Sequence, residues 1–437
     1  MRKKGIFSVQ ELDSFKKQLL VWSNKFEVCC YLDSNNYLYD QYSSYECLVG
    51  VGMIDELSYR TLNSLEKGAA FDRLKTFYES KQDWIFGFLG YDLKNDVEDL
   101  TSQNLDKLGL PDMYFFQPKH IIYVQKQQIY IEAENPESIF QEITQTPINQ
   151  ETKTTKEIEI QQRISKEQYL EKVVDIQQEI LRGEIYEMNF CQEFYAENVE
   201  IAPLQLYRQL NDIAQSPFAV YFKMKEQYLL CQSPERFLKK EQSQLLSQPI
   251  KGTIKRGKDA VEDDLLKVEL SQNPKERAEN IMIVDLVRND LTRTAQTASI
   301  KVKELCKVYS FQQVHHLVST IESTLSKEVH FVDAIRHAFP MGSMTGCPKI
   351  RSMELIEQYE ESKRGLYSGS VGYCTPNGDF DFNVVIRSIL YHKKNSYLSF
   401  QIGGAITYDS NPFQEYEECL LKAKAILEVL SNGKKTT

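Results

Sequence analysis

The sequence predicts an α+β fold, and three observations carry that reading. Strands and helices arrive in blocks rather than as alternating βαβ units. A three-strand meander is legible over 368–407, with Asn377-Gly378 as a two-residue hairpin turn and a second turn near Lys394-Asn395. Helical patterns with clear caps flank that meander on both sides. At 437 residues the chain has length for two to three domains.

The elements follow in order. The amino-terminal region, 1–145, carries strand-like runs at 27–32, 84–89 and 121–131. The stretch 144–157 is rich in Thr, Gln, Lys and Glu and poor in apolar residues, so 146–164 is read as an exposed connector to a third region, 165–433. There Ser165 and Gln168 form a capping box. Tyr169, Val173, Ile176 and Ile180 recur at helical spacing, and Gly183 stands where a C-terminal glycine belongs. Residues 263–290 read as helical, interrupted at Asn273-Pro274, and 332–337 and 349–359 are shorter helices, the latter after Pro348. The third strand of the meander, 397–407, contains Gly403-Gly404, which marks a bulge or a close backbone approach. Asn411-Pro412 opens a last helix that runs to about Leu430.

Composition excludes several classes. The net charge of -10 argues against general nucleic-acid binding, so an anionic ligand needs its own local basic groups. The nine cysteines are scattered and form no CxxC pair, which argues against a disulfide framework and a zinc site and fits a reducing cytoplasm. Met1-Arg2-Lys3-Lys4 is charged like a signal peptide, but no apolar core follows it. No run is long and apolar enough to span a bilayer. Neither a Gly-x-Ser-x-Gly elbow nor a phosphate-binding GxxxxGK[ST] loop occurs.

Pro249-Ile250-Lys251-Gly252-Thr253 is the segment richest in chemistry. It puts one lysine beside residues that leave room for a ligand near the backbone, and a desolvated lysine serves as nucleophile or base. A surface lysine at a turn is the plainer alternative. Glu235 makes an acid/base pair with Lys251 if adjacent strands carry them; otherwise it is a surface neighbour of Arg236. Glu276 and Glu279 share one helix face, as do Glu415, Glu418 and Lys422. These are two solvated faces, or two faces that meet around a cation. In the second case the hard oxygen donors suit Mg²⁺. Arg387 lies on the middle strand of the meander among apolar residues, so it holds an anion or a structural carboxylate such as Asp381. The N–H groups near Gly403 and Gly404 offer a second anion site. His315-His316 has no third ligand at metal spacing, so a hydrogen-bonding or structural role is left.

These segments occur together, and in this order, in one family. Gly183 through Asn189, Ser233 through Phe237, the lysine segment, 279–291, 316–319, 342–349, 365–369, 385–388 and 415–422 make the chain resemble the chorismate-utilising enzymes, and among them the aminodeoxychorismate (para-aminobenzoate) synthase component I branch. The amino-terminal third matches more loosely, through 86–92 and 32–34. The resemblance implies a chorismate-binding-type sandwich of two large antiparallel sheets with helices outside and the site between the sheets. It implies Mg²⁺ on Glu279 and Glu418, with Glu276 and Glu415 reaching it directly or through water, and the metal holding the ring carboxylate. Arg387, Tyr367 and the backbone at Gly403, Gly404 and Ala405 would hold the pyruvyl carboxylate, with Lys422 adding charge. Gly252, Thr253, His316 and Ser343 would complete the substrate site. Ser34 and Pro217 lie in motifs resembling the tryptophan pocket of some relatives.

The same resemblance points to a reaction. Anthranilate synthases carry alanine at the position of Lys251, and aminodeoxychorismate synthases carry lysine. Lys251 would attack C2 of the ring while Glu235 protonates the departing C4 hydroxyl; ammonia then adds at C4 and expels the lysine, giving 4-amino-4-deoxychorismate for para-aminobenzoate and folate synthesis. A neutral Lys251 is needed, so a lowered pKa is expected from burial and nearby Mg²⁺. Isochorismate synthases use a lysine at the position of Glu187, where relatives that use ammonia have glutamine. Ammonia would come from a separate glutamine amidotransferase subunit, since no cysteine here sits in a glutaminase elbow. The alternatives are anthranilate synthase component I and a non-catalytic partner subunit.

Overall fold

The computed structural model describes residues 2–37, 40–61, 68–148 and 158–431. Residues 149–157 of the connector and 432–433 of the last region lie outside these. In chain order the strands are β1 Lys3–Phe7, β2 Val28–Asp33, β3 Cys47–Tyr59, β4 Ile85–Leu89, β5 Met113–Gln125, β6 Gln128–Ala133, β7 Gln161–Gln162, β8 Glu187–Ala196, β9 Phe218–Met224 and β10 Gln227–Ser233. They continue with β11 Arg236–Glu241, β12 Gln244–Gln248, β13 Ile250–Lys255, β14 Lys301–Ser310, β15 Val314–Thr324, β16 Gly346–Cys347, β17 Ser370–Cys374, β18 Phe380–Val384, β19 Ser388–His392 and β20 Tyr397–Ile406. The helices are α1 Leu12–Ser23, α2 Ala69–Lys81, α3 Lys94–Val97, α4 Pro136–Thr144, α5 Lys166–Leu181, α6 Pro203–Ala214, α7 Ala260–Gln272, α8 Pro274–Thr292, α9 Phe331–Ala338, α10 Lys349–Tyr359 and α11 Pro412–Leu430.

Every pairing between these strands is antiparallel, and the pairings trace two layers. One layer runs β1-β6-β5-β3-β2-β9-β10-β19-β20-β8. The other runs β5-β4-β17-β18-β11-β12-β15, with β13 and β14 beside β15. The long β3/β5 ribbon belongs to both and shifts register between Met53 and Asp55, which joins the layers along one side. Between the layers Phe222 of β9 meets Phe88, Tyr114 and Phe116 edge-to-face at 5.5, 6.2 and 6.1 Å. Burying such a ring contributes roughly 1.5–3 kcal/mol by area, before its edge-to-face contacts are counted. Helices α1, α4, α6 and α11 cover the outer face of the first layer, and α2, α8 and α9 that of the second.

Local chemistry sets the helix starts. Ser165 and Gln168 close their reciprocal capping box at α5, and Gly183 follows its end at φ 81°. The side chain of Asn273 accepts from the N–H of Lys275 and Glu276, and that of Asn411 accepts from Phe413 and Gln414. A proline opens each of these two helices, so the glutamates that follow stand at fixed positions in the first turns.

Five details depart from the sequence reading. Residues 121–131 form two strands rather than one, because Lys126 and Gln127 turn the chain at φ 51° and 61°. The expected meander is instead two hairpins, β17/β18 and β19/β20, in different layers, because β18 pairs with β11 and β19 with β10 rather than with each other. Its first hairpin is wider than a two-residue turn: Thr375 N–H donates to Asp379 O around Pro376-Asn377-Gly378. Arg387 does not sit on a middle strand; it lies in the break between β18 and β19 at φ 51°, where the chain crosses from one layer to the other. The exposed stretch also begins later than residue 144. Thr144 ends α4, Thr146 is buried, and both carbonyls accept from Gln18 Nε2 of α1.

Candidate active site

The chain crosses between layers twice at one place. β10 leads into β11 through Pro234-Glu235, and β18 leads into β19 through 385–387. The two crossovers are tied together: Gln232 N–H donates to Arg387 O at 3.1 Å, and Val384 N–H to Glu235 O at 3.0 Å. They open on a cleft of about 1060 Å³ between β20 and β8 of one layer and β13 and β15 of the other. Helix α8 lies along β13 and β15, and α11 along β20. Lys251, Glu235, Gly252, Thr253, His316, Ser343, Tyr367, Arg387, Gly403, Gly404, Ala405, Lys422, Glu276, Glu279, Glu415 and Glu418 all line this cleft. Ser34 and Pro217 do not; they share a separate pocket of about 470 Å³ with Asp33, Tyr45, Arg236 and Asp381.

Lys251 is 9% exposed, and its Nζ lies 2.7 Å from Oε1 of Glu187, which is fully buried. The two come from different layers, on β13 and at the start of β8. Lys251 is ion-paired with Glu187; Glu235 is not in hydrogen-bond contact with it, but the two lie close enough for their charges to act on each other. One expectation is corrected here. The lysine pKa is raised rather than lowered: burial alone would depress it, but the carboxylates of Glu187 and then Glu279 outweigh burial.

Glu235 is no surface neighbour of Arg236. It is 4% exposed, its Oε1 accepts from Ile250 N–H at 3.4 Å, and Ser343 also bonds to it. Burial pushes its carboxyl up to about 7, which keeps a proton available near neutrality. Arg236 is engaged elsewhere, by Asp40 and Asp381 at 2.9 Å each. Asp381 is therefore not the partner of Arg387, and no carboxylate among the described residues lies within ion-pair distance of Arg387. Its guanidinium donates to His316 Nε2 at 2.9 Å, and burial lowers its pKa to about 10. Since Nε2 accepts, His316 carries its proton on Nδ1, which faces Thr253 Oγ1 at 2.8 Å. Burial and the charge of Arg387 hold His316 well below the usual imidazole range, hence neutral. Neighbouring His315 is structural, bonded to Asp263 and Ser310.

Gly403 lies opposite Cys191, whose N–H turns away to Glu360 Oε1 at 2.9 Å. A side chain on Gly403 would stand 2.1 Å from Phe190 O, so glycine is required for close strand approach, and the register carries no bulge. Gly403 O faces the cleft and accepts from Lys422 Nζ at 3.0 Å. In an antiparallel ladder the N–H of a residue points to the same side as its C=O, so Gly403 N–H also faces the cleft. Tyr367 hydroxyl rests 3.5 Å from Cys191 Sγ.

The glutamates of α8 and α11 face one another across the cleft. Burial raises Glu276, and the charge of Glu418 adds to it. Burial raises Glu279 to about 7, and also raises Glu415. Glu418 is lowered, foremost by Lys422 at 2.8 Å. Among the described residues no three acidic, histidine or cysteine side chains are gathered closely enough to hold a metal as they stand.

Sequence reasoning passed over Lys275, Asn189 and the Glu360–Arg364 pair. Lys275 lies in the cleft 3.9 Å from Glu279, a spacing of four on one helix face that the sequence displays. Asn189 Nδ2 donates to Ser343 O at 2.5 Å. Buried Arg364 pairs with Glu360 at 2.6 Å and donates to the carbonyls of Asn189 and Met344, fixing the cleft floor. Glu360 and Arg364 are also four apart, but beyond the end of α10, where that spacing marks no helix face, and the carbonyl partners are remote in sequence.

Comparison with known proteins agrees with this geometry. The model of the chorismate binding enzyme family matches residues 28–428. Aminodeoxychorismate synthase of the Arabidopsis thaliana chloroplast is 36% identical over 83% of this chain, although the match spans only 42% of that longer protein. Aminodeoxychorismate synthase component 1 of Escherichia coli (strain K12) is 35% identical over 80% of this chain and 77% of its own length. Among solved structures, anthranilate synthase component I from Streptococcus pneumoniae TIGR4 superposes with a TM-score of 0.75 at 26% identity, covering 89% of this chain and 93% of that one. The chain belongs to the chorismate binding enzyme family.

Proposed function

We propose that this chain converts chorismate and ammonia to 4-amino-4-deoxychorismate, with Lys251 as nucleophile and Glu235 as general acid. The observation that carries the reading is a buried lysine amine in the same cleft as a carboxyl raised to about 7. Chorismate is a dianion, and an acidic chain must bind it by local reversal of charge. Arg387, which has no carboxylate partner among the described residues, takes the pyruvyl carboxylate together with the Tyr367 hydroxyl, Gly403 N–H and Lys422. Neutral His316 steadies the guanidinium while adding no charge. Ser343 and Ile250 N–H orient the Glu235 carboxyl toward the C4 hydroxyl.

The donor chemistry of the two helix faces fits Mg²⁺, which takes a few carboxylates and keeps several waters. Glu279 and Glu418 would hold it, with Glu276 and Glu415 directly or through water; bound there, it supplies charge for the ring carboxylate. Glu418→Gln is expected to move the Mg²⁺ dependence of the rate to about tenfold higher metal concentration; an unchanged metal titration would remove Glu418 from the ligand set. Ammonia is supplied by a separate glutamine amidotransferase chain, a partner consistent with the "component 1" in relatives' names. Nine free cysteines and no helix among the described residues able to cross a membrane are consistent with a cytoplasmic setting.

The likeness to an anthranilate synthase supports a second reading, release of anthranilate and pyruvate. Product identification by mass after incubation with chorismate, Mg²⁺ and ammonium salt decides between them. Aminodeoxychorismate without pyruvate is expected; anthranilate and pyruvate in its place would reject the first reading.

A further inference from the structure

Glu187 takes no part in the steps above, yet it touches the nucleophile. Its Oε1 lies 2.7 Å from Lys251 Nζ, and apart from that lysine neither carboxyl oxygen has a hydrogen-bond donor among the described residues. The pair is desolvated on both sides, with Glu187 fully buried at the root of β8. A buried ion pair without further hydrogen bonds carries a desolvation penalty that the neutral acid–amine pair avoids, which narrows the gap between the two forms and opens a route for a proton to move between the partners. We propose that Glu187 is the proton acceptor of Lys251: it takes one proton from the ammonium to free the amine for attack, stores it during the covalent stage, and returns it when the lysine leaves. The proposal rests on the aminating reading given above.

The step balances. Lys251 ammonium passes one proton to the Glu187 carboxylate. The amine lone pair forms the bond to ring C2, the two ring double bonds shift by one position, and the C4–O bond breaks with the proton of Glu235, releasing water. Ammonia then forms the C4–N bond, the double bonds shift back, and the C2–N bond breaks. Glu235 carboxylate takes the surplus proton of the new amine, and the departing Lys251 recovers its own from Glu187. Both carboxyl groups and the lysine return to their starting states. The other ionisable groups around the pair have separate positions or tasks. Glu279 and Glu276 of α8 and Glu418 of α11 act on Lys251 through their charge, Glu235 already carries the proton for the hydroxyl, and Cys347 faces Glu187 with a thiol pushed up by burial.

The test compares wild type, Glu187→Gln and Glu187→Asp with two readouts: the pH profile of aminodeoxychorismate formation, and the pH midpoint at which Lys251 is acetylated by acetic anhydride, read by peptide mass. In the wild type, activity at pH 7 is expected to be full although Lys251 still labels as an ammonium. In Glu187→Gln, the rate relative to wild type at the same pH, in which the Glu235 limb common to both cancels, should follow the neutral amine, falling about tenfold per pH unit below that variant's own labelling midpoint, with chorismate affinity within about threefold. Glu187→Asp should restore activity below the midpoint. The proposal is overturned if the ratio of the Glu187→Gln rate to the wild-type rate keeps more than half its maximal value one pH unit below the variant's labelling midpoint, or if wild-type Lys251 labels as a free amine at pH 7. If the wild type forms no aminodeoxychorismate at all, the underlying reading fails and the relay falls with it; the product assay separates that result from the other two.

Discussion

Replacing Lys251 by alanine is expected to lower aminodeoxychorismate formation about a thousandfold, equivalent to roughly 4 kcal/mol of barrier. Chorismate affinity should change little, since the carboxylate-binding groups lie on Arg387, β20 and the two glutamate helices. Stability is a separate matter. The substitution leaves Glu187 buried without its one ion-pair partner among the described residues, and breaking such a pair costs about 3–5 kcal/mol. The double variant Lys251→Ala/Glu187→Gln should therefore regain most of the lost Tm and none of the activity. Titration calorimetry, thermal melts and the product assay check the three statements. Activity within tenfold of wild type in a folded Lys251→Ala variant would remove the lysine from the chemistry.

The second large effect is expected at Glu235. Glutamine there keeps the shape and removes the transferable proton, so the rate should fall about 10²–10³-fold, in the range of lost general-acid catalysis. The sign of the pH dependence follows from burial. A carboxyl raised to about 7 is mostly protonated, and hence competent, below that pH. Wild-type activity should decline by about tenfold per pH unit above it as the acid is lost. Glu235→Gln has no proton to lose, so its low residual rate should lack that limb. A variant that retains the same decline would assign the limb to another group.

What the sequence disclosed follows how local each feature is. The Asn-Pro starts of α8 and α11, the capping box of α5 and the glycine pair of β20 are written in a few adjacent residues, and the structure has them where those residues predict. The hairpin at Lys126-Gln127 escaped notice because neither residue belongs to the types that favour positive φ. Arg387 was read onto a strand because its apolar neighbours continue the strand pattern. The break depends on where β18 and β19 find partners in different layers. The site residues were legible as motifs, but their partnerships were not. Lys251 meets Glu187 only once β13 and β8 converge from opposite layers. The direction of its pKa followed from that unseen neighbour. Burial follows from the sequence pattern, whereas the opposing charge of Glu187 comes from a strand remote in sequence.

The central claim is a bond between Lys251 Nζ and the ring. It is tested most directly by quenching the protein with acid during incubation with chorismate and Mg²⁺ in the absence of ammonia, then mapping peptides by mass. The account predicts a mass gain of one chorismate less one water on the peptide bearing Lys251, lost on adding ammonium before the quench. Turnover to aminodeoxychorismate with that peptide unmodified, or an adduct that ammonium does not discharge, would contradict it.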